Sequence, residues 1–250
     1  MKDVDVLSYY RNPETVDHYA RAAAKLGLWR SEELVFASVF DQDDGLLEIG
    51  TGAGRIAIGL AELGYSRILG VDISREMIKR AQRLRQILEY AVAFQVMDAR
   101  SLKFDDHAFD GAIFGFNGLM QIPGRDERLK ALREIRRVVR PGGYFVFTTH
   151  DRRVGPYKRF WKEEARRWDE GKQDKALLEF GDKYEETESG RLYVHIPLPD
   201  EVRAALKETG WKCESDTLRS EITDEPPEIR AFSDECRFWV ARNPETGEGA

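Results

Sequence analysis

Short apolar runs recur along residues 45–150, and a polar or glycine-rich turn follows each of them. The segments between the runs have apolar residues at three- and four-residue spacing, which is typical of amphipathic helices. Strands that alternate with helices in this way indicate a parallel sheet covered by helices. The predicted strands are residues 46–49, 67–72, 91–97, 109–114 and 144–147, and the predicted helices between them are 55–63, 74–88 and 126–139.

The flanking segments have other patterns. Two helices are predicted before the first strand, at 12–26, where Asn12 is a good N-cap, and at 31–40. Residues 152–180 are rich in charges and large aromatic side chains, and residues 182–196 alternate like a hairpin. The core pattern then resumes with a helix at 199–209 and strands at 211–216 and 237–241, and residues 243–250 are predicted to be a disordered tail.

A glycine-studded turn follows the first predicted strand and carries the clearest chemistry. Glu48 is followed by Gly50, Gly52 and Gly54 at every second position. Glycines let the backbone turn sharply and let a ligand approach without meeting a Cβ atom. The segment fits both the fingerprint of dinucleotide-binding turns and the pattern E-x-G-x-G-x-G. From the turn alone, three interpretations stay open: a dinucleotide site, a site for a different ligand, and a tight turn that binds no ligand.

Three later features distinguish these alternatives. The second strand ends in Asp72, about 20 residues past the glycine turn, where a carboxylate can accept both hydroxyls of a ribose. The third strand is followed by Asp98 and Ala99, and Pro-Gly-Gly at 141–143 joins a helix to the fifth strand. With the fourth predicted strand at 109–114, the glycine turn and these three features make five pieces in one order over residues 45–150. In this order they resemble class I S-adenosylmethionine-dependent methyltransferases of the small-molecule type.

This resemblance implies an α/β fold with a doubly wound, mostly parallel seven-stranded sheet, helices on both faces, an antiparallel final strand and a small inserted α+β cap. It also implies a domain plan. Residues 1–44 form a helical segment over the cofactor site, 45–151 and 197–242 form the core, 152–196 form the cap or lid, and 243–250 form the tail.

The resemblance further implies S-adenosyl-L-methionine as cofactor and S-adenosyl-L-homocysteine as product. Asp72 then holds the ribose, and Asp98 with Ala99 holds the adenine. Glu48 stands where an Asp is more usual, and the carboxylate is retained. The full predicted cofactor set is Glu48, Gly50, Thr51, Gly52, Gly54, Asp72, Ile73, Met77, Asp98, Ala99, Phe114, Phe116, Tyr10 and Tyr19. Arg55 has no assigned role, and a surface position at a helix start would explain it.

The sequence defines the site of the methyl acceptor less clearly than the cofactor site. His150 closes the fifth strand and is a candidate base, although a structural role for it is equally open. Asn117 is followed by Gly-Leu rather than by Pro-Pro, which removes support for methylation of base amines or glutamine amides. The predicted substrate contacts are Phe116, Asn117, His150, Tyr157 and Trp161, and packing of the cap explains the last two equally well.

The composition of the chain limits the classes of binding partner that we expect. A net charge of −6 over 250 residues argues against a general nucleic-acid binder, since phosphate binding needs surplus cations. The two cysteines and four histidines lack metal-ligand spacing, so no metal is expected. The chain starts without the apolar core of a signal peptide and has no membrane-spanning run, so we expect a cytoplasmic protein with a small-molecule partner. Three rival hypotheses stay open, namely a nicotinamide-dependent oxidoreductase, a methyltransferase acting on RNA or protein, and a non-catalytic cofactor-binding protein.

Overall fold

A seven-stranded sheet forms the centre of the computed structural model, which describes residues 4–154 and 158–245. Its spatial order is β3-β2-β1-β4-β5-β9-β8. All neighbouring pairs from β3 to β5 are parallel, whereas β9 runs antiparallel to both β5 and β8. The strands are β1 (Gly45–Ile49), β2 (Arg67–Asp72), β3 (Ala93–Val96), β4 (Phe109–Phe114), β5 (Val139–Thr149), β6 (Asp182–Thr187), β7 (Gly190–His195), β8 (Lys212–Leu218) and β9 (Arg237–Arg242).

Helices cover both faces of this sheet and extend beyond it at the amino-terminal side. The helices are α1 (Val4–Arg11), α2 (Pro13–Lys25), α3 (Arg30–Val39), α4 (Arg55–Glu62), α5 (Arg75–Ile87), α6 (Arg125–Val138), α7 (Lys158–Asp169), α8 (Pro199–Glu208), α9 (Arg219–Ile222) and α10 (Pro227–Phe232). A 3-10 helix, Gly118–Gln121, follows β4. Among the described residues, no helix has the length and apolar character needed to cross a membrane.

Two apolar clusters hold the layers together, one on each face of the sheet. Leu132 of α6 and Leu206 of α8 pack with Trp211 and Phe147 on one face. Phe36 of α3 and the α4 and α5 residues pack on the other face. Helices α4, α5 and α6 each bury apolar residues that their spacing placed on one face. Burial of apolar surface, at about 25 cal/mol per Å², is the main favourable contribution to folding.

The predicted fold class is confirmed, including the seven-stranded sheet and the antiparallel final strand. The predicted hairpin is present as β6 and β7, which form a separate two-stranded sheet. Side-chain hydrogen bonds join the two strands of this hairpin. Buried Asp182 of β6 accepts hydrogen bonds from the Tyr193 hydroxyl at 2.7 Å and from the His195 ring at 2.9 Å, both on β7.

Two boundaries predicted from the sequence are wrong. The strand β5 begins at Val139, before the Pro-Gly-Gly segment rather than after it. The tail does not begin at residue 243, because Asn243 is buried and its side chain donates to the carbonyl oxygen of Val139 at 2.8 Å. A carboxamide bonded in this way extends the ordered chain beyond β9; residues 246–250 lie outside the described part.

Candidate functional site

The glycine turn between β1 and α4 opens onto a cavity at the carboxyl ends of the parallel strands. Gly52 lines this cavity with a φ of +54°, and a Cβ atom added there meets nothing within 4 Å. Gly54 instead faces inward, because an added Cβ atom lies 2.8 Å from the ring of Phe94. The first glycine therefore leaves space for a ligand, while the second allows the helix start to pack closely on the sheet.

The buried side chain of Glu48 is hydrogen-bonded to the glycine turn and to the start of α4. Its carboxyl group accepts hydrogen bonds from the Thr51 hydroxyl and, at 3.0 Å, from the backbone N–H of Ala57. Burial raises the pKa of Glu48 to about 8, and these hydrogen bonds only partly offset the effect. The side chain thus ties the glycine turn to the first turn of α4.

Asp72 ends β2 on the opposite side of the turn. One carboxylate oxygen accepts the N–H of Gly52 at 2.9 Å, and the other accepts the N–H of Ser74 at 2.8 Å. Burial raises the pKa of Asp72 to about 6, although both hydrogen bonds act to lower it. Each oxygen has two lone pairs, so each keeps one position for a further donor. Two adjacent acceptor positions fit the two hydroxyls of a ribose.

Asp98 and Ala99 line the same cavity beyond the end of β3. Both carboxylate oxygens of Asp98 accept hydrogen bonds from the guanidinium of Arg100, the shortest being 2.7 Å. Burial raises the pKa of Asp98, but the hydrogen bonds from Arg100 outweigh it and hold the pKa below its usual value. Because Arg100 also pairs with Glu127 at 2.9 Å, it connects this corner of the cavity to α6.

Four aromatic side chains, Tyr10, Tyr19, Phe116 and Phe232, form an aromatic wall on the outer side of the cavity. The ring of Phe116 lies between those of Tyr19 and Phe232, with centroid distances of 5.9 and 5.5 Å. Tyr10 lies 5.9 Å from Tyr19 and is held near Asp72, because Ser74 Oγ donates to the Tyr10 carbonyl oxygen at 2.8 Å. Aromatic rings in this position exclude water from the strand ends.

Most of the predicted cofactor residues come together around this one cavity. Its lining includes Glu48, Gly50, Thr51, Gly52, Asp72, Ile73, Met77, Asp98, Ala99, Phe114, Phe116, Tyr10 and Tyr19. Gly54 is the exception, for the packing reason given above. Among these residues, Asp72 offers two acceptor positions, the backbone offers N–H groups, and the apolar side chains offer a surface for a ring. An adenosyl cofactor requires this set of donors, acceptors and apolar contacts.

The predicted base is occupied by other contacts. His150 Nδ1 lies 2.9 Å from the carbonyl oxygen of Glu235, and its Nε2 lies 3.1 Å from the amide nitrogen of Asn117. Because a carbonyl oxygen only accepts, Nδ1 of the neutral ring carries the proton and Nε2 accepts from Asn117. The structure places neither residue in the cavity lining.

The cap residues are likewise not brought to the cavity. Trp161 is 6% exposed and packs edge-on against Phe160 and Phe180, at centroid distances of 4.9 and 5.8 Å. It is absent from the cavity lining, so its aromatic spacing reflects packing of the cap. Tyr157 lies outside the described residues.

Arg55 is not the surface residue that its position suggested. Its guanidinium forms two hydrogen bonds of 2.6 Å with the carboxylate of Glu32 and lies 4.5 Å from the centroid of the Trp29 ring. The two charged side chains are 10% and 2% exposed. This buried pair joins the glycine turn to α3.

Several residues of the cavity lining were not predicted from the sequence. Gln121 ends the 3-10 helix, Phe232 ends α10, and Val6 and Leu7 belong to α1. Only the apolar character of Val6, Leu7 and Phe232 was visible in the sequence, since no motif marks these short helices. A polar residue such as Gln121 has no signal until the fold brings it to the cavity.

A second polar cluster lies in the hairpin region. Ligand atoms of Glu179, Asp182 and His195 lie within 4.8 Å of one another, which could suggest a metal site. Glu179, however, pairs with Arg128 at 2.7 Å, and Asp182 accepts from Tyr193 and His195. A cation would have to displace these partners, so the cluster is better explained as a hydrogen-bonded link between the hairpin and α6.

Comparison with known proteins finds similarity over part of the chain. Residues 47–147 match the family model described as a methyltransferase domain. The chain is 31% identical over 137 residues to the methyltransferase GfsG of Streptomyces halstedii, covering 54% of this chain and 46% of that protein. It is 33% identical over 121 residues to the ubiquinone/menaquinone biosynthesis C-methyltransferase UbiE of Desulfotalea psychrophila, covering 47% and 46%. The chain thus spans less than half the length of these relatives.

A solved structure agrees over a longer stretch. A SAM-dependent methyltransferase from Methanosarcina mazei superimposes with a TM-score of 0.69 at 20% identity, covering 88% of this chain and all of that one. At this identity the likeness concerns the fold. Together with the match of residues 47–147 to a methyltransferase domain, it supports the resemblance to class I S-adenosylmethionine-dependent methyltransferases. The resemblance read from the glycine turn and the strand-end acids is confirmed.

Proposed function

We propose that this protein transfers a methyl group from S-adenosylmethionine to a small-molecule acceptor. The observation that carries the proposal is Asp72, a buried carboxylate with one acceptor position left on each oxygen, beside the open face of Gly52. In this proposal Asp72 accepts the ribose hydroxyls, Asp98 and Ala99 contact the adenine, and the glycine turn contacts the methionine end. The names of the relatives support a small acceptor, since one of them is a C-methyltransferase of ubiquinone/menaquinone biosynthesis.

The residues would act by positioning and by excluding water. Bound S-adenosylmethionine supplies a methyl group activated as a sulfonium, so that the carbon–sulfur bond breaks with its electron pair on sulfur while an acceptor lone pair forms the new bond. The aromatic wall shields that position, and alignment of two bound reactants can contribute about 7–11 kcal/mol to lowering the barrier. Within the described residues, the cavity lining contains no histidine or lysine that could act as a base.

The sheet favours this function over the rival oxidoreductase. Sheets that bind dinucleotides commonly have the order 3-2-1-4-5-6 and are mostly parallel. Here β9 reverses direction between β5 and β8, which is the arrangement of the methyltransferase resemblance.

Release of S-adenosylhomocysteine tests the proposal. The purified protein is incubated with S-adenosylmethionine and a panel of phenols, enols, thiols and amines, and the product thioether is quantified. We expect release that depends on one acceptor class and on intact Asp72. Oxidation or reduction of a nicotinamide cofactor by the same panel, without thioether release, would contradict the proposal.

A further inference from the structure

One part of the cavity lining, here called the outer cavity, comes from elements other than the turns that follow β1, β2 and β3. It is formed by α1, by the 3-10 helix with the residues after it, and by α10. Its residues are Val6, Leu7, Tyr10, Gln121, Ile122, Pro123 and Phe232. None of these seven side chains carries a charge, so a charged group bound there would lack a counter-ion.

The charged residues elsewhere on the cavity wall do not supply that counter-ion. Each one already has a partner on the protein: Arg55 pairs with Glu32, Arg100 pairs with Asp98 and Glu127, Glu48 is bonded within the glycine turn, and Asp72 is bonded to Gly52 and Ser74. A carboxylate or phosphate on the acceptor would have to take Arg55 or Arg100 from its carboxylate partner, and an ammonium would compete with the cofactor for Asp72. Charges buried without a partner are costly, so the site selects against them.

Gln121 provides the one polar side chain of the outer cavity besides Tyr10. The Tyr10 hydroxyl donates a hydrogen bond to Gln121 Oε1. Burial raises the pKa of Tyr10 well above its usual value, which keeps this hydroxyl protonated and able to donate. With Oε1 turned toward Tyr10, Gln121 Nε2 has no hydrogen-bond partner in the part of the chain that the structure describes. Its two N–H donors are therefore available to a ligand.

Tyr10 is itself held in place. Ser74 Oγ, two residues after Asp72, donates to the carbonyl oxygen of Tyr10 at 2.8 Å, and the Tyr10 ring contacts Tyr19. The orientation of the Gln121 amide is thus fixed through Tyr10 to the same segment that follows the proposed ribose-binding carboxylate.

We propose that the methyl acceptor is an uncharged, largely apolar molecule and that it presents a carbonyl or hydroxyl oxygen to Gln121 Nε2. Gln121 is then a specificity-determining residue, and Tyr10 is the positioning residue that orients its amide. This inference rests on the proposed function, because it requires the remainder of the cavity to hold the cofactor.

Four naphthalene probes test the inference by calorimetric titration into the protein saturated with S-adenosylhomocysteine. The probes are 2-naphthol, naphthalene, 2-naphthoate and (2-naphthylmethyl)ammonium, which share one ring system and differ in charge and in the oxygen. We expect 2-naphthol to bind about fivefold more tightly than naphthalene, as one neutral hydrogen bond allows. The two charged probes are expected to bind at least about tenfold more weakly than 2-naphthol.

Variants separate the amide from general packing. Gln121→Ala and Tyr10→Phe are expected to abolish the preference for 2-naphthol over naphthalene while leaving naphthalene affinity within about twofold. Gln86→Ala on α5 and Tyr90→Phe after it are the matched controls and are expected to keep the preference. A structural role alone would lower the affinity for both probes equally.

The outcomes are distinct from those of the proposed function. Failure of S-adenosylhomocysteine to bind would contradict the proposed function itself. If it binds but 2-naphthol does not, or if a charged probe binds more tightly, the inference about the acceptor is overturned. Retention of the naphthol preference in Gln121→Ala would overturn the role of Gln121.

Discussion

At the scale of single residues, Asp72 shows how burial and hydrogen bonding together fix a carboxylate in the position where we propose that it accepts the ribose. Two backbone N–H groups fix its carboxylate, while burial moves its pKa to about 6. The ionised form is the one that can accept two ribose hydroxyls. Ligand affinity should therefore depend on pH in a range where few other carboxylates titrate.

The first prediction concerns that pH dependence. The affinity for S-adenosylhomocysteine should be constant above about pH 7 and fall about tenfold by pH 5, because protonation of Asp72 removes one acceptor position. Calorimetric titrations across this range measure it. Asp72→Asn should bind at least about tenfold more weakly than the wild type at pH 8 and should lose the pH dependence. A wild-type affinity independent of pH would contradict this role.

The second prediction concerns Gly52. An alanine Cβ there meets no protein atom but enters the cavity, so Gly52→Ala should weaken S-adenosylhomocysteine binding by about tenfold or more. Gly171→Ala is the matched control, since Gly171 also has a positive φ, +67°, and open space, but lies after α7. Both variants should lose about 1 kcal/mol of stability from backbone strain. Equal affinities in the two variants would show that Gly52 does not face the ligand.

Some residues of the candidate site could be predicted from the sequence. The glycine turn and the acids at 48, 72 and 98 were predictable because turn geometry and strand ends impose specific residue types. Gln121, Arg55 and Phe232 were not predictable as wall or pairing residues, since their positions depend on which distant segment packs against them. His150 and Trp161, predicted as substrate contacts, are not among the residues of the cavity lining, because spacing marks a helix or strand but not the face that meets a ligand.

At the scale of elements, the long periodic segments were predicted and the short ones were missed. The apolar runs of β1, β2 and β4 lie between polar turns, and α5 and α6 have continuous helical spacing. Helices α1, α9 and α10 have only eight, four and six residues. Such short helices are stabilised mainly by tertiary contacts, which a local pattern does not contain.

The third prediction concerns the link between α3 and α4. Breaking the buried pair by Glu32→Gln leaves Arg55 charged without its partner, so the free energy of unfolding should fall by about 3 kcal/mol. Chemical denaturation measures the change. Glu163→Gln removes an exposed partner of Arg159 and should change stability by less than about 0.5 kcal/mol. The double variant Glu32→Leu with Arg55→Met should recover most of the loss, and a Glu32→Gln protein as stable as the wild type would contradict the argument.

At the scale of the whole molecule, the fold places its binding residues at one edge of the sheet and closes that edge with segments from both ends of the chain. Helix α1 contributes Tyr10, and α10 contributes Phe232. The apolar clusters on the two sheet faces hold the edge in place from below. Binding at this edge is thus coupled to segments that are far apart in the sequence.

The fourth prediction concerns stability and pH. The pKa of Glu48 is raised from about 4.5 when unfolded to about 8 when folded, so its contribution to stability is complete below pH 4.5 and is lost as pH rises toward 8. The wild type should therefore lose stability between pH 5 and 8 relative to Glu48→Gln, by at most about 1.4 kcal/mol per pH unit. Parallel denaturation curves at four pH values measure this difference. A constant difference over that range would contradict it.

Binding of S-adenosylhomocysteine to the purified protein, followed by calorimetry at pH 8 beside an equal titration with NAD, tests the central claim most directly. The account predicts a saturable heat at one site per chain for the thioether and none for the dinucleotide. A saturable heat from NAD alone, or no heat from either ligand, would contradict it.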